Sequence, residues 1–155
     1  MRYLKVSRLF SALFLLLFLT IPAWSANGGV EVASDNLRLE ERSGIVNFEG
    51  NVHVRLTDAA LTCDLLTVRT SKDDPSTVRA GEASGNVVLQ RGGDRVEAGK
   101  AAFDLEKGTV ELTGSPRLVR TGSTITAGRI TYSLEDGTAS FEGPVNAVFT
   151  SPGDR

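Results

Sequence analysis

The sequence predicts an all-β chain: an antiparallel meander of strands bent near their middles, folded into a V-shaped, two-layer structure with open ends. Three observations carry that expectation. Four glycines, Gly50, Gly85, Gly114 and Gly143, recur at separations of 35, 29 and 29 residues, and fixed periods of this size mark repeat architectures. The residues around them alternate apolar and polar, the two-residue period of a strand with one dry face. Tight-turn sequences fall where successive segments meet.

Residues 1–25 precede the repeats. Arg2, Lys5 and Arg8 form a positive leader, an apolar run extends from Leu9 to Ile21, and Ala23-Trp24-Ser25 offers small residues at the positions a signal peptidase reads. This is the pattern of a cleavable secretory signal ending at Ser25, with an uncleaved inner-membrane anchor as the rival, since a span needs about twenty apolar residues. No cysteine follows the run, so lipoprotein processing is not expected. Residues 26–155 are one domain's worth of chain.

The first strand is placed at 30–41, where Leu37 and Leu39 share a face. Arg42-Ser43-Gly44 turns the chain into 45–57, in which Val46 and Phe48 precede Gly50 and Val54 follows it. The third strand, 60–70, carries Leu61, Cys63, Leu66 and Val68, and the parity of its apolar positions slips by one residue at Asp64. A slip of that kind marks a bulge or sharp bend, and Gly or Asp tolerates the dihedrals it requires. A second bend column, Asp35, Asp64, Gly99 and Gly128, sits just before the inward pairs Leu37/Leu39, Leu66/Val68, Ala101/Phe103 and Ile130/Tyr132.

A six-residue insertion around Ser71 to Thr77 accounts for the longer first interval. Strands at 78–91 and 95–106 follow, joined by Arg91-Gly92-Gly93-Asp94. Glu106-Lys107-Gly108 leads into 109–120, Arg120-Thr121-Gly122-Ser123 into 124–135, and Glu135-Asp136-Gly137 into 138–149. These are hairpin sequences. The first and last strands leave unpaired backbone edges that must be blocked or used.

Composition narrows function. Without the three leader cations, 14 basic residues remain against 19 acidic ones, a formal charge of −5, so the basic field of a nucleic-acid binder is missing. One histidine, His53, and one cysteine, Cys63, are too few for a zinc set. His53 stands in a polar column, no G-x-S-x-G elbow accompanies it, and no catalytic residue is assigned. Cys63 aligns with Ala98 and Ala127, which reads as a small buried hydrophobe. Many inward positions are small: Gly81, Ala83, Ala98, Ala101, Ala127, Ala139 and Ala147. Such residues on facing layers leave either close packing or an unfilled apolar cleft.

Behind the secretory leader, Ser34-Asp35-Asn36-Leu37, Val46-Asn47-Phe48-Glu49-Gly50-Asn51-Val52, Leu112-Thr113-Gly114 and Gly128-Arg129-Ile130-Thr131-Tyr132 follow in order. Together they resemble the OstA-like family of periplasmic lipopolysaccharide-transport proteins over about residues 30 to 149. The resemblance implies a β-jelly roll that holds the acyl chains of lipopolysaccharide inside an apolar slot, without cofactor, metal or catalytic residues. It also implies head-to-tail self-association through edge strands, with an LptC-type inner-membrane protein at one end and an LptD-type outer-membrane protein at the other.

Phe48, Val54, Leu89, Phe103, Leu112, Leu118, Ile125, Tyr132 and Phe141 are the expected lipid-facing surface. The family pattern is departed from at Ser115-Pro116 and Pro144, where proline removes a ladder donor and suits an edge or opening. Two other readings compete: a β-repeat scaffold of the envelope with a packed interior and no lipid, and an anchored LptC-like component.

Overall fold

The computed structural model describes residues 30–150, so the leader and its processing site lie outside the described residues. Twelve strands form one continuous antiparallel sheet: β1 (Glu31–Ala33), β2 (Asn36–Glu40), β3 (Ile45–Arg55), β4 (Ala59–Thr70), β5 (Val78–Arg91), β6 (Asp94–Asp104), β7 (Thr109–Thr113), β8 (Arg117–Arg120), β9 (Ser123–Thr126), β10 (Arg129–Ser133), β11 (Ala139–Glu142) and β12 (Asn146–Phe149). They occupy the eight segments the sequence predicts. Strands β3 to β6 run unbroken through their bends, whereas the first, sixth, seventh and eighth segments are each split into two short strands.

The bends sit where the glycine columns put them. Gly50, Gly85, Gly114 and Gly143 have φ of 80°, 77°, 75° and 85°, and Asn51, Asn86 and Ser115 continue three of these bends at φ of 46°, 48° and 58°. Two successive left-handed residues break the pleat, and the register shifts there between Glu49 and Val52 and between Ser84 and Val87. Each shift moves apolar residues to the correct face on both sides of the bend. Pro144 cannot take a left-handed φ, so the fourth bend has one such residue.

Two layers result. The upper layer joins β2, the first half of β3, the second half of β4, the first half of β5, the second half of β6, then β7, β10 and β11. The lower layer joins β1, the remaining halves of β3 to β6, β8, β9 and β12. Their inner faces are built from rows of cross-strand partners. In the upper layer Leu37, Phe48, Leu66, Ala83, Ala101, Leu112, Ile130 and Phe141 form one row, so two sequence columns interleave into a single line. In the lower layer Val32, Val54, Leu61, Leu89, Val96, Leu118, Ile125 and Ala147 form the facing row.

The core lies closest to the bends, where Val52, Ala83, Val87 and Leu112 are 0–1 % exposed. Among the described residues, no buried polar or charged residue interrupts it. Polar partners line up outside instead, with ion pairs Glu82–Lys100, Glu97–Arg117 and Glu111–Arg129 crossing between strands. His53 is exposed on that outer face beside Thr62, in keeping with its polar column.

Candidate apolar cleft

Away from the bends the layers part, and in the second half of the chain they do not close. A cleft of about 390 Å³ lies between them, lined from the lower layer by Leu89, Val96, Leu118 and Ile125 and from the upper layer by Leu112, Ile130, Tyr132, Ala139 and Phe141. That volume lies within the roughly 300–1,000 Å³ of small-ligand sites. The wall is aliphatic and aromatic because both layers contribute only inward positions of their alternation.

Six of the nine residues singled out from the sequence line this cleft: Leu89, Leu112, Leu118, Ile125, Tyr132 and Phe141. The other three belong to the packed first half. Val54 is 8 % exposed in the core, and Phe48 and Phe103 are half-buried against it. Phe103 pairs with Gly81 across β5 and β6, and its ring covers that glycine so closely that a Cβ there would lie 2.2 Å from the ring Cζ. A large side chain thus occupies the space its small neighbour leaves. The small inward residues divide the same way: Ala83, Ala98, Ala101 and Ala127 are buried in close packing, while Ala139 is exposed along the cleft.

The mouth is polar. Arg91 and Arg120, each six residues beyond a bend glycine and on the inward parity, form a lip with Asp94. Arg91 Nε donates to Asp58 Oδ2 at 2.9 Å, and Arg120 Nε donates to Asp94 Oδ1 at 2.6 Å. The sequence order of charges along the lip is therefore alternating: Asp58, Arg91, Asp94, Arg120. Hydrogen bonding from Arg120 holds the Asp94 carboxyl below its ordinary value and raises the guanidinium further. The turn reading of 91–94 and 120–123 is correct for the backbone but hides these side chains' place at the mouth. Continuing the two-residue alternation one step past Leu89 and Leu118 finds them.

Nothing else in the cleft is reactive. Cys63 is buried, with its thiol pushed up to about 11 mainly by loss of solvent and secondarily by neighbouring Asp64, which leaves it protonated at neutral pH. No group of three or more His, Cys, Asp or Glu side chains that could hold a metal occurs among the described residues.

These features place the chain among known proteins. Its fold is shared with LptH of Pseudomonas aeruginosa, described as the LptA-homologous periplasmic component of the lipopolysaccharide transport device. The two superpose with a TM-score of 0.68 at 14 % identity, over 79 % of this chain and 96 % of LptH. No curated protein sequence matches the chain. The sequence profile described as "LptA/(LptD N-terminal domain) LPS transport protein" matches residues 31–138, which contain strands β1 to β10 and three of the four periodic glycines. With the bent-strand repeats and the open sheet, this match over most of its length shows that the chain belongs to the LptA/(LptD N-terminal domain) family of lipopolysaccharide transport proteins.

Proposed function

We propose that the protein carries lipopolysaccharide across the periplasm with acyl chains seated in the cleft between its layers and sugars outside. The apolar cleft is the observation that supports this most directly. Burying a chain in such a wall is worth about 0.8 kcal/mol per methylene, so several long chains would exceed what any reversible complex sustains. Transport needs the difference between cleft and bilayer to be small, which an aliphatic wall open to solvent along one side provides.

Head-to-tail docking completes the proposed route. Strands β1 and β2 bound one end of the two layers and β11 and β12 the other, each paired on one side only among the described residues. Strand addition at these edges would join successive copies, an LptC-type inner-membrane protein and an LptD-type outer-membrane protein into one bridge. A signal peptide cut after Ser25 would deliver the chain to that compartment.

A photoreactive residue tests the carrier reading directly. Placed at Leu89 or Phe141 it should crosslink to lipopolysaccharide, whereas at outward-facing His53 it should not. Leu89→Asp, which puts a charge on the cleft wall, should abolish the Phe141 crosslink in a protein that still folds. Equal crosslinking from His53, or none from the cleft positions, would favour the packed scaffold instead.

A further inference from the structure

One contact spans the mouth of the cleft. Arg91, at the end of β5 in the lower layer, donates a guanidinium hydrogen bond to the hydroxyl of Tyr132, on β10 in the upper layer. The same guanidinium lies over the tyrosine ring, 5.6 Å from its centroid. Asp58 holds it from behind, 2.8 Å from Nη2. Strands β5 and β10 are not paired with each other, so this contact ties together layers that the backbone leaves apart. Arg91 is six residues from its bend glycine and Tyr132 four from its own, so the tie sits far from the vertex of the V.

The vertex itself is uneven. In the first two bends a side-chain clamp crosses the fold, Asn51 Nδ2 to Asp35 Oδ2 and Asn86 Nδ2 to Asp64 Oδ2, both at 2.8 Å. In the last two bends glycine faces glycine, Gly99 against Gly114 and Gly128 against Gly143, and no side-chain hydrogen bond of the Asn–Asp kind crosses them among the described residues. The Arg91 side of the tie stands on a clamped bend and the Tyr132 side on an unclamped one.

From this geometry we infer that Arg91 and Tyr132 form a latch, and that the upper lip carried by β7, β10 and β11 swings on the glycine bends to admit an acyl chain sideways. The inference rests on the carrier reading and adds the route into the site. Both partners are solvent-accessible at the mouth, with 46 % of the Arg91 side chain exposed, so the tie exchanges readily with water. A latch of this kind raises the barrier to both loading and release.

Tyr132→Phe keeps the aromatic wall and removes the hydroxyl, and Arg91→Gln removes the guanidinium. Stopped-flow mixing with a pyrene-labelled long-chain fatty acid should show loading and release rates rising together, about three- to tenfold, in both variants. Nitroxide labels at Gly93→Cys and Leu134→Cys, on opposite lips, should report a wider and broader mouth when Tyr132→Phe is added to the labelled protein. Unchanged rates, a change in release alone, or an unchanged label distance would overturn the latch while leaving the carrier reading intact. A parent protein that takes up no probe would overturn both.

Discussion

At the scale of single residues, the bends depend on what is missing. A Cβ on Gly114 would lie 2.9 Å from the Gly99 Cα, and its φ of 75° disfavours any side chain. Gly93, in the β5–β6 turn, has open space around it and no left-handed φ. Gly114→Ala should therefore cost roughly 2 kcal/mol or more in urea-induced unfolding, adding backbone strain to a backbone clash, while Gly93→Ala should stay within about 0.5 kcal/mol. Equal effects would mean that the bend does not require its glycine. The periodic glycines were legible in the sequence because their spacing is regular. The filling of Gly81's space by Phe103 was not, because the column alignment sets them in separate columns and only strand pairing makes them neighbours.

At the scale of elements, turn tips are fastened by carboxylates. Asp74 accepts from the Ser76 and Thr77 hydroxyls at 2.6 and 2.7 Å inside the 71–77 loop. Asp104 accepts from the amides of Glu106 and Lys107 in the β6–β7 turn, and Asp94 binds Arg120 between adjoining hairpins. Each carboxyl is held below its ordinary value, by the Ser76 hydroxyl, the Lys107 amide and Arg120 respectively. A depressed carboxyl stabilises the fold above its unfolded value, about 3.9, and that contribution is lost as pH falls through the folded value.

The three tips should consequently loosen below about pH 4. Hydrogen exchange at pH 3 against pH 5, corrected for the intrinsic rate, should show protection lost at 71–77, 104–108 and 91–94 before the strand interiors, and Asp94→Asn should abolish the change at the last of these. Uniform loss across the strands would contradict local fastening. The turn positions follow from Gly, Pro and Asp in the sequence. The split strands were harder to read: Pro116 and Pro144 lack an amide for the ladder, and between β1 and β2 the pairing with β3 skips Ser34 and Asp35, so continuous alternation concealed interrupted pairing.

At the scale of the whole molecule, an open repeat leaves ends that a closed barrel would not. Strand β12 has four exposed residues, Asn146 to Phe149, none charged, with Val148 57 % and Phe149 75 % exposed. At the opposite end, β2 exposes Leu37 and Leu39. Edge strands in proteins that remain separate commonly carry lysine, proline or a covering element, and β12 has none of these within its span. Because the two ends differ, pairing one with the other is heterologous and leaves a free edge at each end of a dimer for further copies to join. The proposed docking therefore predicts sedimentation coefficients that rise with concentration and keep rising past the dimer. Val148→Lys combined with Phe149→Lys places charge on that edge and should hold the protein monomeric over the same range, with the fold and the cleft's lipid uptake retained. A concentration-independent monomer in the parent protein, or association that survives both lysines, would remove β12 from the bridge and leave the cleft to act alone.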